Sequence, residues 1–327
     1  MPKILANDGI HPLGKEILEK NGFEVDSEFI PQDQLQEKLP NYDGILVRSA
    51  TKVRKDLIDA CPDLKLIGRG GVGMDNIDVD YARSKGIKVI NTPAASSQSV
   101  AELVFAHIFT GARFLHESNR IMPGEGDINF KEIKKRLSKG IELRGKNLGI
   151  IGFGRIGQAV ARIGLGLGMH VLPFKLHHED VKIEVDFFKI KDASVNIVVH
   201  CDPFEMILEE SDFITLHVPF PPGAEPILYK ERFDLMKDGV GIINTSRGGA
   251  IVEKDLVMAL DSGKVGFAGL DVYENEPLPS KAILNHPKIS LTPHTGASTV
   301  EAQTRVWIEM ADQVVHYFQK EANSVAS

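Results

Sequence analysis

The run Gly152-Phe153-Gly154-Arg155-Ile156-Gly157 restricts the fold more than any other part of the chain. It lies directly between an apolar stretch, Asn147-Leu148-Gly149-Ile150-Ile151, and a helical pattern, Gln158-Ala159-Val160-Ala161-Arg162-Ile163. A strand that turns sharply on glycines into a helix is the opening of a βαβ unit in a parallel sheet. The glycines permit the tight turn and let backbone amides approach a pyrophosphate, which then rests on the positive end of the helix. The pattern therefore predicts an α/β fold with a dinucleotide-binding domain, with Gly152, Gly154 and Gly157 at the phosphates.

The rest of the chain repeats the same rhythm. Strands are expected from Lys3 to Ala6, Gly44 to Arg48, Lys65 to Gly68 and Lys88 to Asn91, with helical stretches such as Lys15 to Asn21 and Arg54 to Ala60 between them. A second series begins at Asn147 and continues through His170 to Phe174, Phe213 to His217, Val240 to Asn244, Phe267 to Leu270 and Ile289 to Thr292. At 327 residues the chain exceeds what one core usually holds. The expectation is two Rossmann-like or flavodoxin-like parallel-sheet domains with a cleft between them. Residues 1–96 plus 298–327 would form a discontinuous substrate-binding domain and 97–297 the dinucleotide-binding domain. Helical spacing over Ser97 to Asn119 predicts one long linking helix, and Thr299 to Tyr317 a closing helix on the first domain. Residues Glu179 to His200 alternate like an antiparallel excursion. The basic segment Ile121 to Gly140 reads as an anion-binding arm or as a solvated helix face.

Composition excludes several classes. Apolar residues at 43% and charged residues at 25% describe an ordinary globular chain, and a net charge of −7 offers no footprint for nucleic acid or anionic lipid. Two cysteines, Cys61 and Cys201, are too few for a disulfide scaffold, and no apolar run approaches a membrane span. With no leader pattern at the amino terminus, a cytoplasmic protein with reduced thiols is expected, without membrane or nucleic-acid partners and without a metal.

Three further segments carry chemistry. Asn244-Thr245-Ser246-Arg247-Gly248-Gly249 follows a strand and projects an arginine that can clamp a carboxylate by two parallel hydrogen bonds, or be merely solvated. Asp271-Val272-Tyr273-Glu274-Asn275-Glu276-Pro277 follows the next strand with three acids, which also suits a surface turn. Thr292-Pro293-His294-Thr295-Gly296 places a histidine just past a third strand. An Arg, a Glu and a His after successive strands suit general acid/base work on a bound acid, since the carboxylate orients the ring. At Lys175, where the fingerprint asks for a ribose-binding acid, two readings stand. The lysine pairs with the 2′-phosphate of NADP beside His177 and His178, or it is an exposed residue at an NAD site served by Glu179 or Asp180.

On these four motifs the chain resembles the D-isomer-specific 2-hydroxyacid dehydrogenases over essentially its whole length. The resemblance implies an NAD(P)-dependent oxidoreductase that moves hydride between C2 of a D-2-hydroxy acid and a nicotinamide. It implies catalytic roles for Arg247 on the substrate carboxylate, His294 as acid/base and Glu276 as its partner. It places Arg155, Ile156, Lys175, His217, Thr245, Ser246, Arg247, Asp271, His294 and Gly296 with the glycines at the cofactor. Lys175 in place of the usual acid leaves NAD against NADP open, and Thr295 stands where an apolar residue is common.

Val47-Arg48-Ser49-Ala50-Thr51 and Gly68-Arg69-Gly70-Gly71-Val72-Gly73 look most like the 3-phosphoglycerate dehydrogenases, which implies a role in serine biosynthesis. Arg48, Ser49, Arg69, Gly71, Val72 and Gly73 then bind substrate, the arginines meeting a phosphate. The arginines also suit interdomain ion pairs. Ending at Ser327, the chain would be a short form without the regulatory domain of longer members. Glyoxylate or hydroxypyruvate reduction is the nearest alternative, and a dinucleotide-sensing corepressor is an alternative of another class. A homodimer through the 97–119 helix is what the family implies.

Overall fold

The computed structural model describes residues 1–176, 180–186, 194–221 and 223–325. The backbone clusters into two compact units, Met1–Ser97 with Ala297–Ser327, and Gln98–Gly296.

Among the described residues the first unit is built on a five-stranded parallel sheet. Its strands are β1 (Lys3–Ala6), β2 (Glu24–Asp26), β3 (Gly44–Val47), β4 (Leu66–Arg69) and β5 (Lys88–Asn91), in the order β2-β1-β3-β4-β5. Helices α1 (Pro12–Lys20), α2 (Leu35–Lys38), α3 (Lys55–Ala60) and α4 (Val79–Ser84) connect them. Alternate residues of each central strand enter different cores. Leu5, Ile45 and Ile67 pack with Leu35, Leu57 and Ile58, whereas Ile4, Leu46 and Leu66 pack with Leu18, Trp307 and Met310. Burial on both faces explains why these strands read as continuous apolar runs. The sequence pattern shows four strands here. The structure adds β2, a three-residue edge strand too short to carry a period.

The second unit opens with α5 (Ser97–Ala112), α6 (Leu115–Glu125) and α7 (Phe130–Arg136). The expected single helix from Ser97 to Asn119 is corrected by this break. Phe114 has a φ of 54°, and a left-handed residue cannot continue a right-handed helix because its Cβ crowds the next carbonyl. On α7, Lys131, Lys134, Lys135 and Arg136 face solvent while Ile133 is buried, the arrangement of a solvated face.

The unit continues with β6 (Asn147–Ile151), α8 (Arg155–Gly166), β7 (His170–Phe174), β8 (Val181–Asp186) and β9 (Ser194–Val199). It then runs through α9 (Phe204–Glu210), β10 (Phe213–Leu216), α10 (Lys230–Asp234), β11 (Val240–Asn244), α11 (Glu253–Ser262), β12 (Val265–Leu270), α12 (Lys281–Leu284) and β13 (Ile289–Leu291). Among the described residues its parallel sheet has the order β13-β12-β11-β10-β6-β7. Strand order reverses between β6 and β10, so an open sheet of this kind takes its ligand beyond the carboxyl ends of those two strands. β8 and β9 form a separate antiparallel hairpin, with Ile183 opposite Ile197. Its buried Ile183 joins the core around Val160, and Arg162 Nε donates to the Glu184 carbonyl at 2.8 Å. Residues 177–179 and 187–193, which include His177, His178 and part of the expected excursion, lie outside the described residues.

The last helix, α13 (Val300–Val325), returns to the first unit and continues beyond the expected Tyr317. It lies against α1 at Gly14, where a Cβ would stand 2.8 Å from the Trp307 carbonyl oxygen. No helix among the described residues is long and apolar enough to cross a membrane.

Candidate active site

The glycine turn leaves β6 and enters α8 directly. Gly152 has a φ of 99°, and a Cβ there would lie 2.5 Å from the His217 carbonyl oxygen, so the turn and the end of β10 can approach only through glycine. A Cβ at Gly157 would run into the Gly152 carbonyl, whereas one at Gly154 meets nothing within 4 Å. The two outer glycines thus close the turn and the middle one faces open space, which fits a pyrophosphate laid on the α8 amides. Arg155 and Ile156 are the first two residues of that helix. At the neighbouring strand ends, His217 Nδ1 and Thr245 Oγ1 are buried and make no hydrogen bond among the described residues. Burial pushes the His217 imidazole down to about 3, so it is neutral near pH 7. Lys175 directly follows β7, the edge strand beside β6. These residues fit a dinucleotide.

The Arg247 loop is shaped by a residue the sequence reading passed over. Buried Asn244 accepts from the Ser246 N–H at 3.0 Å and hydroxyl at 2.8 Å, and its Nδ2 donates to the Arg247 carbonyl at 2.8 Å. Arg247 itself sends Nη1 to the Ser246 carbonyl at 2.7 Å. A methyl on Gly248 would collide with the Tyr273 backbone, so this loop packs flush on the acidic one.

The three acids after β12 have separate tasks. Asp271, 1% exposed, accepts on Oδ1 from the Thr292 hydroxyl at 2.6 Å and the Thr295 N–H at 2.8 Å, and on Oδ2 from the Gly296 N–H at 2.8 Å. Glu274 accepts from the Glu253 N–H at the start of α11 at 2.8 Å, and Glu253 returns a bond from the Glu274 N–H at 2.9 Å. Glu276 reaches His294, with Oε2 2.8 Å from Nδ1, while its Oε1 accepts from the Tyr273 N–H at 3.0 Å. Burial would raise the Glu276 carboxyl, but the His294 bond and charge, the Tyr273 N–H and the Arg247 charge together hold it below the usual glutamate range. His294 has a left-handed backbone at φ 55°, and its N–H donates to the Asp271 carbonyl at 2.8 Å. With Nδ1 engaged, Nε2 is the nitrogen left to exchange a proton. Arg247, Glu276 and His294 are therefore brought together after β11, β12 and β13.

In the first unit the residues expected at substrate cluster as well. Arg69 ends β4 in register with Val47, and Arg48 follows Val47, so the two arginines leave adjacent strands one position apart. Gly71 has a φ of 144°, and a methyl there would run into the Arg69 guanidinium, which places that side chain over the 70–71 turn. Ser49 is exposed and Val72 is 39% exposed. The 48–51 loop is held by Asp8, which accepts from the Arg48 N–H at 2.6 Å, the Thr51 N–H at 3.1 Å and the Thr51 hydroxyl. Asn76 Nδ2 ties the same loop through the Arg48 and Thr51 carbonyls at 2.8 and 2.6 Å. Sequence reasoning missed Asp8 and Asn76; the only signal was Asp8 just past the end of β1. No group of three or more metal-ligating side chains is found among the described residues.

Residues 105–296 match the family model described as D-isomer specific 2-hydroxyacid dehydrogenase, NAD binding domain. The chain is 41% identical over 321 residues to a hydroxypyruvate reductase of Thermotoga maritima, covering 95% of this chain and 97% of that protein. It is 40% identical over 316 residues to a D-3-phosphoglycerate dehydrogenase of Methanocaldococcus jannaschii, covering 96% of this chain but only 57% of the relative. The chain thus spans little more than half the length of that dehydrogenase. Among solved structures, a D-lactate dehydrogenase from Aquifex aeolicus complexed with NAD and lactic acid superposes with a TM-score of 0.75 at 29% identity, covering 99% and 97% of the two chains.

Proposed function

Because the chain belongs to the D-isomer specific 2-hydroxyacid dehydrogenases, we propose that it interconverts 3-phosphoglycerate and phosphohydroxypyruvate, a reaction of serine synthesis. The observation that carries the reaction type is the 2.8 Å pair of Glu276 and His294 beside Arg247. The nicotinamide supplies the hydride acceptor, or in reverse the donor, at its ring. In the oxidising direction His294 Nε2 takes the hydroxyl proton as the C2 hydrogen leaves with its electron pair, and the C2–O bond becomes a carbonyl. Glu276 holds the ring so that Nε2 is presented, and it balances the imidazolium that forms. Arg247 holds the substrate carboxylate. Positioning of this kind lowers barriers by several kcal/mol, about 7 to 11 at best.

The phosphate reading rests on Arg48 and Arg69, two cations at neighbouring strand ends. A second reading, hydroxypyruvate or glyoxylate reduction, is favoured by the near full-length similarity to the hydroxypyruvate reductase. Initial rates on the phosphorylated and unphosphorylated acids separate the two. Faster turnover of phosphohydroxypyruvate supports the first, and indifference to the phosphate supports the second. NAD is the cofactor of the family domain, and Lys175 supports tolerance of NADP, since a cation meets a 2′-phosphate and cannot accept ribose hydrogen bonds.

A homodimer through the α5–α7 region accounts for an otherwise odd helix. α6 has no buried residue, and Leu115, Met122, Ile128 and Phe130 around it are exposed. α6 is held at its start, by His116 on the Pro287 carbonyl and Glu117 on Arg136, so a second copy covering its exposed apolar residues is the simplest further support. Light scattering on eluting protein should give twice the chain mass of 36.0 kDa.

A further inference from the structure

We propose that His107, a histidine on α5 remote in sequence from every motif above, is a positioning residue for the active site. It acts through the Thr292 hydroxyl on Asp271 and so on the loop that carries His294. This inference rests on the hydride-transfer reading of the site.

His107 is 2% exposed, with Nδ1 2.9 Å from Ser290 Oγ and Nε2 3.2 Å from Thr292 Oγ1. It reaches them across β12 at Gly269, which pairs with Ser290 in the sheet. A Cβ at Gly269 would lie 2.5 Å from the His107 Cβ, so only glycine leaves room for the ring. Counting protons fixes the direction of the chain. The Thr292 hydroxyl has one hydrogen and gives it to Asp271 Oδ1 at 2.6 Å, so at its other side it must accept. His107 therefore carries its proton on Nε2, and its Nδ1 accepts from Ser290. Burial keeps the ring neutral, pushing it down to about 4 against the opposing charge of Asp271. The relay Ser290 to His107 to Thr292 to Asp271 ends on the carboxylate that also takes the Thr295 and Gly296 amides.

What the relay secures is the strained stretch. His294 sits at φ 55° only while the residues on both sides are held, by Thr292 before it and Thr295 after it, both through Asp271. α5 grips the same loop a second time where the Ser99 hydroxyl donates to the Gly296 carbonyl at 2.6 Å. Loss of the His107 donor frees the Thr292 hydroxyl to turn away from Asp271, and the His294 ring loses its aim.

The test is a double-mutant cycle of His107→Leu and Thr292→Val, with His107→Gln as the conservative variant and wild-type turnover measured first. His107→Leu should lower kcat about tenfold with little change in the KM for cofactor, the size expected for one buried hydrogen bond in the chain. His107→Gln, which keeps an N–H donor, should recover most of that loss. In the Thr292→Val background, His107→Leu should have no further effect. Additive losses, or failure of Gln to recover activity beyond Leu, overturn the relay. Nitrogen NMR of the labelled imidazole near pH 7 reports the tautomer without any turnover. A proton on Nε2 supports the relay and a proton on Nδ1 contradicts it, even if the wild-type enzyme proves inactive on every acid tried and the hydride-transfer reading falls.

Discussion

The His294 N–H donates to the carbonyl oxygen of Asp271 at 2.8 Å, while the His294 ring meets Glu276 at 2.8 Å. Backbone and side chain of one residue are thus both fixed by the loop after the neighbouring strand. The reacting nitrogen is set by what holds the other one.

Replacing His294 by Ala removes the group placed to exchange the substrate proton. We expect kcat to fall by roughly a hundredfold to ten-thousandfold, the usual contribution of a general acid/base, while dinucleotide binding measured by fluorescence titration is retained. Glu276→Gln should lower kcat less. Because the Glu276 carboxyl is held below the usual range, it is ionised near pH 7, and the orientation it provides is lost only as pH falls through its lowered value. In the reducing direction, where His294 gives its proton to the substrate, the wild-type rate should therefore stay level on the acid side further down than an ordinary glutamate would allow, and a pH–rate profile checks this.

Gly71→Ala forces a methyl into the Arg69 guanidinium at a backbone angle that L-residues rarely adopt. Arg69 must move. The KM for phosphohydroxypyruvate should rise about tenfold or more, the worth of a charged hydrogen bond, with hydroxypyruvate much less affected. Equal changes for both acids would separate Arg69 from the phosphate.

Asp8→Ala leaves the Arg48 and Thr51 amides without their acceptor. The loop loosens and KM for substrate climbs, by about tenfold if one or two bonds are lost, while kcat at saturation changes little. Steady-state kinetics read the split directly.

Stability should decline on mild acidification. His107 is buried, His217 is partly buried with its Nδ1 out of solvent, and both are neutral, lowered from 6.5 to about 4 and about 3 by desolvation. The unfolded chain binds protons at these sites from about pH 6.5 downward and the folded chain does not, so their contribution is full above that pH and is lost as pH falls toward 4. For His107 the loss is on the order of 3 kcal/mol. The apparent Tm should slope down between pH 6.5 and 4, and less steeply in His107→Gln. A flat profile in the wild type would show these rings to be charged or exposed.

Much of the site was legible because its residues sit in local patterns. Gly152, Gly154 and Gly157 announce a turn between strand and helix, and Arg247 and His294 stand just past runs of apolar residues that could only be strands. The three acids at 271, 274 and 276 were visible as a group but not as three tasks, since division of labour depends on what lies opposite each carboxylate. Asp8, Asn76, Asn244 and His107 were not legible. Asn244 acts within its own loop, whereas the other three act through contacts across the fold, such as that between His107 and Thr292, 185 positions apart. The break at Phe114 was hidden for a different reason: Gly111 lies inside α5 before the break, no Gly or Pro stands from 112 to 119, and the hydrophobic period carries straight through.

The most direct test of the account is the initial rate of nicotinamide absorbance change for purified protein with phosphohydroxypyruvate, run beside the His294→Ala variant and with hydroxypyruvate and glyoxylate as competing substrates. We predict rapid NADH oxidation on the phosphorylated acid, slower reaction on the others and a rate at least about a hundredfold lower in the variant. Undiminished turnover in His294→Ala, or none by the wild type on any 2-oxo acid, would contradict it.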